Sequence, residues 1–207
     1  MTLSVHAVAC ERGGRRLFGG ISIALEAGDL ARVRGPNGSG KTSLLRILAG
    51  LTRPVEGEVR WRGAPIGELA EEYGAQMLFI GHAPAVKGEL TVAENLEFSL
   101  RLGAIAAGAA ERRAALERLG IAAQAELPAR VLSEGQRRRV ALARLALAAR
   151  VPLWLLDEPF AALDEDGIGC VRELVAAHLA AGGMVVLTSH QEIPLAARAV
   201  HTVALGA

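Results

Sequence analysis

Eight residues, Gly35-Pro36-Asn37-Gly38-Ser39-Gly40-Lys41-Thr42, have the types and spacing of a phosphate cradle, G-x-x-x-x-G-K-[ST]. Glycines let successive backbone N–H groups turn inward around phosphate oxygens. A helix beginning near Lys41 would aim its positive end at the same anion. Lys41 would reach the β- and γ-phosphates, and the Thr42 hydroxyl would meet a Mg²⁺ ion. Lysine is scarce here: the chain has 21 arginines and two lysines, Lys41 and Lys87. A lysine kept in this loop fits the need for a compact point charge on a flexible stem. Lys87 reads as a surface loop residue.

A second group of chemical residues lies far downstream. Leu153-Trp154-Leu155-Leu156 is an apolar run that ends in Asp157-Glu158-Pro159. In a parallel sheet the carboxyl ends of the strands face the ligand. Asp157 is therefore expected to hold Mg²⁺, directly or through water. Glu158 is expected to polarise the attacking water as general base.

Positioning these groups requires a particular scaffold. Leu3–Val8 and Ile21–Leu25 read as strands, with Gly13-Gly14 and Gly19-Gly20 as turns between them. Leu30–Arg34 is a short strand running into the glycine-rich loop, and Thr42–Ala49 a helix stopped by Gly50 and Pro54. Glu58–Arg62 and Met77–Ile80 follow as strands. Thr91–Leu119 has helical spacing and is divided by Gly103 and Gly108. Ser133 is a good N-cap for a helix over Glu134–Ala149. Glu165–Ala180 reads as a helix and Met184–Thr188 as an apolar strand. Strands apolar on both faces that alternate with helices imply an α/β fold with a buried, mostly parallel sheet. The expected organisation is one domain, with a core over 1–82 and 150–207 and a helical subdomain over about 83–149.

Composition narrows the function classes. A chain of 207 residues that is 51% hydrophobic and 22% charged can bury a core. A net charge of +1 argues for no nucleic-acid partner. Arg137-Arg138-Arg139 reads as a solvated or partner-facing helix end. Cys10 and Cys170 lie far apart, outside metal-ligand spacing, as free thiols of a reducing compartment do. Leu174–Gln191 lacks Asp, Glu, Lys and Arg, but Gly182-Gly183 interrupts it. It reads as helix, turn and buried strand rather than a membrane span. Membrane contact is expected only through a partner.

Further motifs make a family visible. Leu132-Ser133-Glu134-Gly135-Gln136 closely resembles the signature of ABC ATPases, Ala162-Leu163-Asp164 their D-loop, and Thr188-Ser189-His190 their switch-histidine segment. With the phosphate loop and Asp157-Glu158 they stand in the order those ATPases require, across essentially the whole chain. The resemblance implies a P-loop fold of ABC type, with N-terminal antiparallel strands and ATP as substrate. It implies a head-to-tail dimer in which ATP lies between the phosphate loop of one copy and Leu132–Gln136 of another. It also implies that His190 contacts the γ-phosphate.

Two positions depart from the family pattern. The adenine-stacking place near the second strand is taken by Arg12, whose guanidinium can stack on a π face. The glutamine expected after Met77–Ile80 is replaced by Gly81-His82-Ala83-Pro84, and Gln76 comes too early.

Finer details resemble the haem exporter ATP-binding subunits of cytochrome c maturation, the CcmA family. The residues are Cys10-Glu11-Arg12, Phe79-Ile80-Gly81-His82, Leu90-Thr91 with Glu94-Asn95-Leu96, Gln136–Arg144, Leu156–Phe160 and His190-Gln191 with a short tail. That implies attachment to a membrane-spanning permease subunit at the cytoplasmic face of the inner membrane. Gly81–Asn95 is the expected contact. Haem export and release of a haem-loaded chaperone are both open. Other readings are the ATPase of another small ABC transporter and a soluble ABC-type ATPase.

Overall fold

The computed structural model describes residues 1–206. Two sheets enclose one helix, and further helices cover the outer face of the second sheet. The first sheet is antiparallel: β1 (Thr2–Arg12), β2 (Arg15–Glu26), β4 (Glu56–Trp61) and β5 (Ala64–Pro65), in the order β2-β1-β4-β5. The second is parallel: β3 (Leu30–Arg34), β6 (Met77–Ile80), β7 (Leu153–Leu156), β8 (Met184–Thr188) and β9 (Val200–Ala204), in the order β6-β7-β8-β3-β9.

Side-chain alternation explains why β7 is apolar throughout. In β7, Leu153 and Leu155 join the cluster between the sheets, with Leu44, Leu45 and Ile47 of α1 (Lys41–Leu48). Trp154 and Leu156 join the opposite cluster. That cluster is shared with α3 (Val92–Leu102), α4 (Ala109–Arg118), α5 (Glu134–Leu142) and α6 (Glu165–Ala180). Each buried leucine removed from water contributes roughly 1.5–3 kcal/mol, so both faces of β7 drive its burial.

Several sequence expectations need correction. Gly13-Gly14 does turn the chain, but Gly19-Gly20 lies inside β2. Gly20 has φ +70°, and the β1/β2 pairing carries register shifts, so the glycines absorb irregularity within a long ribbon. The helix after Ser133 stops at Leu142 and tightens into a 3₁₀ turn over Ala143–Ala146. Arg138 is not solvated: only 4% of it is exposed. The short β5, α2 (Ala70–Ala75) and the edge strand β9 were not anticipated. No helix among the described residues is long and apolar enough to cross a membrane.

Candidate active site

Strand order determines which residues meet. β3 delivers the chain into the glycine-rich loop, and α1 leaves it with Gly40 as N-cap in the left-handed region, φ +99°. A Cβ at Gly40 would lie 2.8 Å from the Phe18 ring, and one at Gly35 would lie 2.5 Å from the Leu205 carbonyl oxygen. Both positions therefore exclude a side chain. Pro36 and Ser39 turn toward Gly206 beyond β9. Asn37, Gly38, Gly40, Lys41 and Thr42 line a cleft of about 340 Å³. Lys41 is 9% exposed, and its Nζ donates to the carbonyls of Gly35 (2.9 Å) and Pro36 (3.2 Å), curling back over the loop.

The opposite wall comes from β7 and β8. Asp157, 1% exposed, accepts from the Thr42 hydroxyl (2.7 Å) on one oxygen and from the Thr188 hydroxyl (2.7 Å) on the other. Thr188 also accepts the Glu158 backbone N–H at 2.8 Å. Glu158 sits in the left-handed region at φ +50°. That conformation costs a non-glycine residue about 1–3 kcal/mol and persists only where its surroundings enforce it. Its Oε2 accepts from the His190 backbone N–H at 3.2 Å, and the His190 ring Nε2 lies 3.4 Å from Oε1. Glu158 Oε1 is buried and has no hydrogen-bond partner among the described residues. Glu158 lines the cleft, and a carboxylate there is suited to take a proton from bound water. The Thr42 hydroxyl and the Asp157 carboxylate are hard oxygen donors of the kind Mg²⁺ takes.

Arg12, at the end of β1, lines the same cleft beside Leu17. His82, in the turn after β6 where the family pattern has a glutamine, lines it too. Gln76 is engaged elsewhere, accepting from Trp61 Nε1 at 3.1 Å. Thr188, read in the sequence only as part of the segment Thr188-Ser189-His190, is the hydroxyl that closes an otherwise apolar strand and stands at the centre of the network.

The signature residues are not brought to this cleft within one chain. Ser133 caps α5, accepting the Gln136 N–H at 3.2 Å, while Gln136 Oε1 accepts the Ser133 N–H at 2.9 Å. A Cβ on Gly135 would lie 2.6 Å from the Ala162 carbonyl oxygen. Leu132 is buried beneath, and Glu134 is exposed. Asp164 caps α6 through the Gly167 N–H (2.9 Å) and pairs with Arg139. The Gly167 N–H bond, with lesser help from Arg139, holds its carboxyl below the usual range against the opposing effect of desolvation. Gln136, Arg139 and Asp164 thus form a separate surface.

A family model described as ABC transporter matches residues 18–161. The cytochrome c biogenesis ATP-binding export protein CcmA of Nitrosospira multiformis is 48% identical, over 99% of this chain and 98% of that protein. The protein of the same name from Methylococcus capsulatus is 51% identical over 92% of each chain. Among solved structures, a dimeric ATP-binding cassette in a post-hydrolysis state with ADP and Pi superposes with a TM-score of 0.76. It is 29% identical, over 91% of this chain and 88% of that one.

Proposed function

This chain belongs to the ABC transporter ATP-binding family, close to its cytochrome c biogenesis members, and on that premise we propose that it hydrolyses ATP to energise an export complex in c-type cytochrome maturation. One observation supports the hydrolytic assignment above the others. Thr42 of the phosphate loop is joined through Asp157, Thr188 and Glu158 to His190 in one connected network at the cleft.

In this reading the loop N–H groups and Lys41 bind the β- and γ-phosphates. Thr42 and Asp157 hold Mg²⁺, which when bound neutralises charge on the phosphates. Glu158 accepts a proton from water as the water oxygen attacks the γ-phosphorus and the bond to the bridging oxygen breaks. His190, tethered to Glu158, contacts the γ-phosphate. Arg12 is positioned at the cleft's edge to stack on the base. The cassette works as a dimer with a membrane partner. Leu132–Gln136 and Asp164 of a second copy close the site, with the N-terminus of α5 directed at the γ-phosphate. The core at 1–82 and 150–207 carries the cleft, and 83–149 carries the signature. The membrane partner is a permease subunit at the cytoplasmic face of the inner membrane, reached through Gly81–Asn95. The cargo is haem or a haem-loaded chaperone.

The test is complementation. A strain lacking this chain is expected to lose holocytochrome c, to recover it with the wild-type chain, and not to recover it with Lys41→Ala. Normal holocytochrome c in the deletion strain would exclude the maturation role. Full ATPase activity of the purified Lys41→Ala chain would exclude the phosphate-loop assignment.

A further inference from the structure

The three consecutive arginines of α5 have different environments, and the middle one is withdrawn from water. Arg138 is 4% exposed, and its guanidinium spans two separate segments of chain. Nη1 donates to the carbonyls of Gly81 (2.9 Å) and His82 (3.2 Å). Nη2 donates to the carbonyls of Asp157 and Glu158, both at 2.7 Å. The segments continue β6 and β7, whose pairing runs through Ile80 and Leu156 and ends with the Asp157 N–H donating to the Ile80 carbonyl at 2.8 Å. Beyond that point the strands part, and the guanidinium occupies the fork.

This arrangement needs arginine. A planar fork with five donors can serve two pairs of carbonyls at once. A lysine ammonium carries three donors on one atom, and a glutamine amide two. Burial pulls the Arg138 pKa down against the attraction of Asp157 and Glu158, so the position is costly for a cation. A cation retained there, with all four bonds to backbone, points to fixing the path of the chain.

Two other facts give that path a consequence. Glu158 is in the left-handed region, and its peptide neighbours are held from both sides, by Thr188 at its N–H and by Arg138 at its carbonyl. His82, whose carbonyl is the other end of the clamp, lines the cleft with Lys41 and Glu158. Arg138 itself lies five residues beyond Ser133, about 7 Å along α5 from the signature cap.

We propose that Arg138 is a positioning residue that holds Glu158 in its reactive conformation and ties it, together with the Gly81–His82 turn, to α5. A rigid shift of α5 as the signature engages a second copy then moves Glu158 and His82 as one unit. Arg138 touches no reacting atom and acts through Glu158. The proposal rests on the reading of Glu158 as general base.

The test compares the full chain with Arg138→Lys, which keeps the charge, Arg138→Gln, which keeps a planar donor, Glu158→Gln, and the double substitution Arg138→Gln/Glu158→Gln. The measurements are kcat and KM for ATP, equilibrium binding of a fluorescent ATP analogue, and the thermal midpoint. Either Arg138 variant that stays folded at the assay temperature is sufficient. The expected result is a kcat reduced roughly 10- to 100-fold, the scale of a small misplacement of a reacting group, with KM and analogue affinity within about 3-fold of wild type. The double substitution is expected to be no slower than Glu158→Gln alone, since both act on one step.

A normal kcat in the folded Arg138 variants beside an inactive Glu158→Gln would overturn the clamp and leave the general base standing. A kcat loss matched by equal loss of analogue affinity, or losses that multiply in the double substitution, would also overturn it. Normal turnover in Glu158→Gln would overturn the general-base reading and this proposal with it.

Discussion

Thr42, Asp157, Glu158, Thr188 and His190 come from three distant stretches of the chain and meet at one cleft. Ser133 and Gln136 are three residues apart and satisfy each other. The first half of the chemistry is tertiary: it exists because β8 lies between β3 and β7 and places Thr188 beside Asp157. The second half is local, the start of a helix. A half-site made by one helix end can be presented on an exposed surface and still hold its shape. A half-site assembled from a loop and two strand ends requires the packed sheet. The contrast fits an active site shared between two copies, one contributing a built cleft and the other a self-capped helix.

The sharpest way to break this comparison is Glu158→Gln. Glutamine keeps the size and the acceptor oxygen but cannot take a proton at neutral pH. Turnover is expected to fall about 100- to 10,000-fold, the usual contribution of a general base, while ATP binding persists. ATP-dependent dimer should accumulate, which gel filtration with and without ATP would reveal. If turnover survives, the cleft half has been assigned the wrong base.

A smaller effect separates the scaffold of the two halves by pH. His178 of α6 is 3% exposed, stacks on Trp154 of β7 with ring centroids 3.8 Å apart, and covers Gly183 so closely that no side chain fits there. Burial holds its pKa down to about 4, from 6.5, against weaker opposing contacts with the backbone at Met184 and Pro152. A base with a lowered folded pKa imposes no penalty above the unfolded value. Stability is therefore full above about pH 6.5 and declines as pH falls toward 4. The whole loss is on the order of 3 kcal/mol. Urea unfolding at pH 7 and pH 5 should show about half of the pH-dependent loss, and His178→Phe, which keeps the stack, should remove that component. The strand affected leads directly into Asp157 and Glu158, whereas α5 contains no histidine. Acid is thus expected to reach the cleft half first.

The same contrast explains what could be read in the sequence. The glycine-rich turn from β3 into α1 was legible because its requirements are local, glycines where the backbone must turn. The Ser133 cap was legible for the same reason, and β7 and β8 announced themselves because both faces are buried. β9, Val200-His201-Thr202-Val203-Ala204, was missed because an edge strand needs one buried face and alternates weakly. Gly19-Gly20 looked like a turn because glycine marks any unusual φ, whether in a turn or inside a ribbon. The burial of Arg138 was illegible because the run Arg137–Arg139 looks solvated until four backbone carbonyls from elsewhere converge on one member. His82 entered the cleft for a similar reason, since only the pairing of β6 with β7 places the turn after Ile80 beside Glu158.

The smallest expected effect on stability tests the local half directly. Ser133→Ala removes the hydroxyl that accepts the Gln136 N–H. Loss of such a cap costs about 1 kcal/mol, which for a chain of this length lowers the thermal midpoint by about 2–4 °C. Because Ser133 lies outside the cleft of its own chain, ATP affinity of the isolated chain should not change. Turnover should still fall about tenfold, the value of one hydrogen bond to a charged group, since the hydroxyl would be missing from the site of the second copy. Ser133→Thr keeps both hydroxyl and cap and should restore each measurement. A Ser133→Ala chain that loses ATP affinity while monomeric would join the two halves within one copy, and the division between built cleft and presented helix end would fail.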